Sequence, residues 1–330
     1  MLGGTQFVGH AVVVDALARG WDVTVANRGQ SGAAASGAQA VVLDRTVDGA
    51  FDLLGDARFD LVVDTWSGAP YVVRDAARAL AARSGRWVYV SSRSVYAWPI
   101  PVGGDESAPL TEADPDADVT EYAADKRGAE LALERELGAD RVVHLRAGVI
   151  LGPRENVGRL PWWLRRVARG GDVLAPGPSD LGIQYVDARD LARFGLDCAM
   201  AERSGPVDVV SPVGRATMGD LLETCVRVTG SDARLVWVDP AFVVGREIEP
   251  WTELPVWVPV DDVEMYALHT SDVRRALEWG LQIRPLEQTV ADTWEWVRTD
   301  DATGTAPEPR PGMGIDPDKE SEALAAWAAR

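Results

Sequence analysis

Over residues 1–150 short apolar runs alternate with segments of helical periodicity, and this alternation confines the chain to a layered α/β fold. The apolar runs fall at 22–26, 39–43, 60–64, 87–91 and 142–146, and the helical patterns at 7–19, 70–83 and 120–137. Parallel strands need a long crossover, and a helix is the usual one. The expectation is a Rossmann-type doubly wound parallel sheet over 1–150. Beyond 150 the pattern is less regular and richer in Pro and Trp, which predicts a smaller C-terminal substrate lobe over 151–300, interleaved with the core. Residues 301–317 read as an irregular connection. A helix at about 318–329, with Leu324 and Trp327 on one side, is expected to dock back on the body, a frayed tail being the alternative.

The first glycine turn, Gly3-Gly4-Thr5-Gln6-Phe7-Val8-Gly9, follows only Met1-Leu2. A dinucleotide fold places an apolar strand before such a turn. The first strand is therefore read as truncated, and a start assigned too late is the preferred explanation. In the turn, Gly3 permits a tight bend and Gly9 a close approach of the following helix. The N–H groups of Thr5, Phe7 and Val8 at the helix start suit a diphosphate. Gln6 stands where a glycine is usual and leaves less room. Strand 22–26 ends in Asn27-Arg28, where an acidic residue would bind the ribose 2′-OH of NAD. Arg28 instead suits a 2′-phosphate and Asn27 does not repel one, which favours NADP(H), with NAD(H) as the alternative; a solvent-facing loop arginine is the bland reading. Asp44 ends the next strand, as an acceptor for the adenine amino group. Asp64-Thr65-Trp66 ends the strand after it, beside the expected nicotinamide ribose, although Asp64 equally suits a turn-former.

Tyr122 and Lys126 lie four apart in the helical pattern and so share a face. A tyrosine has an unperturbed pKa of about 10, and a neighbouring ammonium lowers it. A serine hydroxyl beside the pair would hold a substrate oxygen while its proton moves. Alone, Tyr-x-x-x-Lys occurs often on solvated helix faces. The order of glycine turn, Ser91-Ser92 strand end and Tyr-x-x-x-Lys is what favours a nicotinamide site with a tyrosine acid/base.

With these motifs the chain resembles the short-chain dehydrogenase/reductase superfamily, in its extended or atypical branch, the NAD-dependent epimerase/dehydratase family. Leu145-Arg-Ala-Gly-Val-Ile-Leu-Gly-Pro153 and Gln184-Tyr-Val-Asp-Ala-Arg-Asp-Leu-Ala192 extend the resemblance over most of 1–300. It implies that the serine of Ser-x-x-Val-Tyr is Ser92, with Tyr96 closing the motif. It implies catalytic roles for Ser92, Tyr122 and Lys126, and a nucleotide-sugar phosphate in the C-terminal lobe. Arg154, Arg159, Arg165, Arg166 and Arg169 are candidates to clamp that phosphate, although a surface helix accounts for most of them. Gln184-Tyr185 is placed within reach of the pocket, Asp187 is expected to cap the next helix, and Trp251 and Trp257 are candidates to line an apolar pocket. Family dehydratases carry Asp-Glu after the active-site hydroxyl residue; Arg93-Ser94 stands here, which argues against sugar dehydration. Relatives often dimerise through the Tyr-x-x-x-Lys helix and the one before it, and the small alanines of 70–83 are compatible with a homodimer.

The leading expectation is an NAD(P)-dependent oxidoreductase reducing a carbonyl or sugar-type substrate. The alternatives are a nucleotide-sugar epimerase with tightly bound NAD, and a non-catalytic NAD(P)-binding or sensing protein. A net charge of −18 makes nucleic acid a poor partner. No apolar run is long enough for a membrane span, and no signal-peptide pattern opens the chain. Cys198 and Cys225 read as reduced core residues of a cytoplasmic protein. His10, His144 and His269 are too scattered for a metal site.

Overall fold

The computed structural model describes residues 1–118, 121–304 and 310–330. Its first half holds α1 (Phe7–Ala18), β1 (Thr24–Asn27), β2 (Gln39–Val42), β3 (Phe59–Asp64), α2 (Pro70–Leu80), β4 (Ser84–Ser92), α3 (Tyr122–Leu137) and β5 (Val142–Ala147). All eight expected elements are present, although residue 120, the expected start of α3, lies outside the described residues. There follow α4 (Arg159–Ala168), β6 (Asp172–Pro176), α5 (Ala188–Met200), β7 (Gly205–Val209), α6 (Met218–Thr229), β8 (Arg234–Val238), α7 (Leu286–Thr303) and α8 (Pro317–Ala328), with shorter elements between.

Strands β3, β4, β5 and β7 pair in that order, all parallel, and β1 pairs in parallel with β2. The two groups meet through Leu2, which bridges Ala26 of β1 and Asp64 of β3. Leu2 N–H donates to Val63 O, Gly3 N–H to Ala26 O, and Ala26 N–H to Met1 O, each at 2.9 Å. The place of the central strand is thus held by Met1–Gly3, at the carboxyl ends of its neighbours, where the glycine turn begins.

Side-chain alternation in these strands makes the fold doubly wound. Val63, Val88, Val90, Val143 and Leu145 pack with apolar residues of α1 and α5. Their neighbours Val62, Trp87, Tyr89 and Val142 pack with α2 and α3 on the other face. Ala76 and Ala77, among the alanines suited to a helix–helix dimer contact, are fully buried in this second cluster and serve the chain's own core. Charged pairs cover the outer surface of α2 and α3: Arg74 and Arg135 both reach Asp116, and Arg78 reaches Glu136.

A separate apolar cluster gathers α4, α6, α7 and the parallel pair β6–β8. Helix α7 runs to Thr303, three residues into the expected connection, and ends at Gly304, whose φ of 69° stops the helix. Residues 305–309 of that connection lie outside the described residues. Helix α8 does dock: Glu320 is buried against Arg166 at 2.6 Å, and Trp327 meets Phe242 edge-on at 4.9 Å.

Helices α2 and α3 approach closely at Gly128, where an added Cβ would lie 2.6 Å from Pro70 Cγ and 2.7 Å from Asp114 O. An alanine normally improves a helix interior, but here it must displace a backbone carbonyl. Gly128→Ala is expected to destabilise the protein by about 1–3 kcal/mol, read by urea denaturation; an unchanged or raised midpoint would contradict the close packing.

Candidate active site

The glycine turn leaves Leu2 in a left-handed path, with φ of 97° at Gly3 and 101° at Gly4. Gly9 is needed because a Cβ there would sit 2.8 Å from Gly4 N, so what it admits is the turn itself. Helix α1 receives no side-chain cap bond from its N-cap residue, Gln6, among the described residues. Its first N–H groups are unpaired within the helix and available to an anion. Two cavities adjoin this helix end. One, of about 230 Å³, is lined by Gly3, Thr5, Gln6, Asn27, Arg28, Asp44, Thr65 and Trp66. The other, of about 530 Å³, is lined by Phe7, Val8, Gly9, Ser92, Tyr122 and Lys126 among others. Gln6, Thr65 and Ser67 line both, so the two cavities adjoin at these residues.

The exception among the expected cofactor residues is Asp64, which is fully buried and lines neither cavity. Its carboxylate takes both guanidinium N–H groups of Arg45 at 2.7 Å and accepts from Trp66 N at 2.9 Å. It fixes Arg45 in the wall of the smaller cavity, with the guanidinium 5.1 Å from the Trp66 ring. Arg45 itself was not anticipated; it directly follows Asp44 at the end of β2, which was the available signal. Asp44 accepts from Thr46 N and Oγ1 at 3.0 and 2.7 Å, and these bonds, with Arg28 nearby, lower its pKa. Arg28 lies exposed at the rim.

In the larger cavity the strand end of β4 separates its two serines. Ser91 Oγ donates to Glu130 Oε1 at 2.7 Å, and Glu130 is held by Arg146 at 3.0 and 2.8 Å. Among the described residues Ser92 is bonded only locally, its Oγ accepting from Ser94 N and donating to Ser94 Oγ, both at 3.1 Å. Ser91 is therefore committed to the interior, and Ser92 has the hydroxyl that can turn to a ligand. Tyr96, which closes the motif, points inward, donating to Asp208 Oδ1 at 2.5 Å. Arg93 donates to Asp208 and to Leu268 O.

Tyr122 is the first residue of α3 and 49% exposed, whereas Lys126, one turn later, is 3% exposed. Lys126 Nζ donates to Trp66 O and Val90 O, both at 2.6 Å, and lies 4.7 Å from the Tyr89 ring centroid. Two of its three N–H groups are thus used, leaving one for the groove. Burial pushes its pKa down to about 7, opposed by Asp64, Glu130 and Asp125.

At the far side of the cavity stand Arg159, Trp251 and Arg310. Of the five arginines proposed to clamp a phosphate, only Arg159 lines this cavity. Arg165 pairs with Asp301 and Arg166 with Glu320. Arg310 was missed because it lies in the stretch that reads as an irregular connection. Trp251 lines the cavity, but Trp257 is fully buried and donates to Gly177 O at 3.0 Å. Gln184 and Tyr185 do not reach it: Gln184 donates to Ser211 O and Ser271 O, and Tyr185 lies in the apolar cluster. Asp187 caps α5 at Arg189 N, as expected. Cys198 and Cys225 are buried and unpaired. Among the described residues no helix is long and apolar enough to cross a membrane.

Lys126 ties the site to stability. Its folded pKa, about 7, lies below the unfolded value of about 10.4. Between the two the unfolded chain binds the extra proton, so stability rises with pH across that window, by at most about 1.4 kcal/mol per pH unit. The difference in unfolding free energy between the native protein and Lys126→Met is expected to grow from pH 7 to pH 9.5 in the native protein's favour; a pH-independent difference would show that Lys126 is not depressed.

Residues 1–210 match the NAD dependent epimerase/dehydratase family. Among solved structures, the chain is similar to UDP-N-acetylglucosamine 4-epimerase from Bacillus cereus, with TM-score 0.64, 17% identity, and coverage of 90% of this chain and 98% of that one. It is also similar to the enzyme of that name from Methanobrevibacter ruminantium M1, solved in complex with UDP-N-acetylmuramic acid (TM-score 0.64, 18% identity, 91% and 97% covered). A third is the UDP-glucose 4-epimerase of Thermus thermophilus in complex with NAD (TM-score 0.62, 17% identity, 90% and 97% covered). No curated protein matches the chain. At these identities the structures speak for the fold, and the preference for NADP(H) drawn from Arg28 finds no support in them. The family match spans well over half of the sequence, glycine turn and Ser92, Tyr122 and Lys126 included, and the chain belongs to the NAD-dependent epimerase/dehydratase family.

Proposed function

We propose that the protein is an NAD(P)-dependent oxidoreductase acting at the carbonyl or secondary alcohol of a sugar-type substrate, with Tyr122 as acid/base. The observation that carries this reading is a pair of adjoining cavities, both lined by the glycine turn, the larger also by Ser92, Tyr122 and Lys126. In this reading residues 1–150 hold the cofactor and 151–300 most of the substrate. The uncapped start of α1 and the close Gly4–Gly9 approach suit a dinucleotide diphosphate. A nicotinamide, when bound, supplies the hydride donor or acceptor.

The chain's own residues handle the proton and the geometry. Ser92 exchanges its bond to Ser94 for one to the substrate oxygen, and Tyr122 gives or takes that oxygen's proton. Lys126, fixed by two carbonyls, directs its remaining N–H towards the cofactor ribose and favours the phenolate when charged. Arg93 and Ser94, engaged with Asp208 and Ser92, offer no carboxylate beside the reacting carbon, which argues against elimination. Net epimerisation is the second reading. Arg159 and Arg310 in the same cavity favour it, because they suit a nucleotide-sugar diphosphate.

Tyr122→Phe is expected to cut turnover about 10²–10⁴-fold while NAD(P)H binding, followed by tryptophan fluorescence, stays nearly unchanged. Retained turnover would overturn the assigned mechanism. Turnover without net change in NAD(P)H absorbance would select the epimerase reading, and binding with no turnover on any carbonyl a sensing role.

Arg28 decides the cofactor. If it pairs with a 2′-phosphate, Arg28→Ala weakens NADPH about tenfold or more and leaves NADH unaffected. Equal effects on both, or native preference for NADH, would remove Arg28 from the site.

A further inference from the structure

We propose that Arg93 is a specificity-determining residue that binds a carboxylate carried by the substrate beside its reacting carbon, so that the preferred substrate is a hydroxy or keto acid rather than its neutral counterpart. The proposal rests on the reading of the larger cavity as the substrate site, and adds the acid group that its reacting end selects.

Arg93 directly follows Ser92 and lines the same cavity. Its side chain runs along the wall. A Cβ added at Gly148 would lie 3.7 Å from Arg93 Cδ, and Arg93 Nη1 donates to Leu268 O at 3.0 Å; Gly148 and Leu268 both line the cavity. Nε donates to Asp208 Oδ2 at 3.2 Å. The side chain is 4% exposed, and its remaining nitrogen, Nη2, is buried without a hydrogen-bond partner among the described residues. A bond left unmade by a buried guanidinium is costly until something supplies an acceptor.

The chain's own neighbouring groups do not supply it. Asp208 is shared: its other oxygen, Oδ1, accepts from the Tyr96 hydroxyl at 2.5 Å, and burial raises its pKa to about 6 in spite of Arg93 and Tyr96. His269 is within electrostatic reach of Arg93 but has no lone pair to offer, since Nδ1 accepts from Gln184 N at 3.0 Å and Nε2 donates to Val256 O at 2.9 Å. Among the described residues the larger cavity is lined by Arg93, Lys126, Arg159 and Arg310 and by no Asp or Glu. Lys126 has its task at the cofactor ribose, and Arg159 and Arg310 stand at the far side. Arg93 is the cation left beside Ser92, where the reading places the reacting carbon. Ser94, also in the wall, accepts from Ser92 Oγ and keeps its own O–H for a ligand. One charged and one neutral donor suit the two oxygens of a carboxylate, and a charge-assisted bond is about twice as strong as a neutral one. A hydroxyl at the same place would forgo that gain.

The test uses calorimetry on the full-length protein with two pairs of probes that differ in the acid group: UDP-glucuronate against UDP-glucose, and D-glucuronate against D-glucose. NADH is titrated first; its failure to bind would count against the oxidoreductase reading alone, and the four sugars are then titrated without it. In at least one pair the acid is expected to bind about tenfold or more tighter than its neutral partner, and the pair that shows it tells whether the acid arrives nucleotide-linked or free. Arg93→Gln combined with Asp208→Asn removes the ion pair as a unit, so that no lone buried charge is left, and is expected to erase the preference; NADH binding by this variant shows that it is folded. If it does not fold, Arg93→Lys decides, because it keeps the charge but loses the planar fork, and its preference is expected to fall. Equal affinity within both pairs, binding of none of the four sugars, or a preference that the folded variant retains in full would each overturn the assignment.

Discussion

The buried ion pair between Glu130 of α3 and Arg146 of β5 organises the reacting end of the sheet. Glu130 is fully buried and Arg146 is 2% exposed. From this pair contacts spread sideways across the strand ends: Ser91 on β4 donates to Glu130, Arg146 reaches the Tyr96 hydroxyl, and Tyr96 donates to Asp208 on β7, which also holds Arg93. Taking two charges out of water costs several kcal/mol, and only near-ideal geometry with extra hydrogen bonds offsets it. An apolar pair of the same size would keep β5 and α3 packed. It would leave the Ser91 hydroxyl without its buried acceptor; both serines line the larger cavity, and Ser92 is the one whose hydroxyl is held only by Ser94 among the described residues.

A second constraint acts on Lys126. An ammonium bonded to two backbone carbonyls cannot follow a substrate; it marks a fixed point between the strand ends of β3 and β4. The Asp64–Arg45 pair does similar work one strand away, closing a buried carboxylate with a guanidinium that then forms cavity wall. In both cases a cation that lines the cavities is held in place by the chain's own carbonyls or carboxylate.

The electrostatics of the groove run against those of the whole chain. The net charge is −18, yet the groove is lined by Arg28, Arg45, Arg93, Lys126, Arg159 and Arg310. At physiological ionic strength screening limits surface charges to about 8 Å, so the local balance counts most: Arg45 and Arg93 are paired with Asp64 and Asp208, and Asp44 also lines the smaller cavity.

The order of elements in the first half was legible from the sequence because strand and helix periods differ and glycine punctuates the turn. Ser92, Tyr122 and Lys126 were legible because helix geometry makes i and i+4 neighbours and because short-range motifs keep their spacing. What the sequence could not determine is anything set by which charged group finds which partner across distance. Asp64 read equally as a cofactor residue and a turn-former, and its carboxylate goes to Arg45 and to Trp66 N of the turn; four of five candidate arginines lie outside the cavity; Trp257 and Gln184 turned inward while Trp251 did not. Arg310, more than 140 residues from Arg159 in the chain, lines the same cavity because its backbone is tied to Val157 there and the helix after it docks on β6. Local spacing is written in the backbone's own geometry, whereas burial and ion pairing depend on the three-dimensional neighbours that only the folded chain supplies.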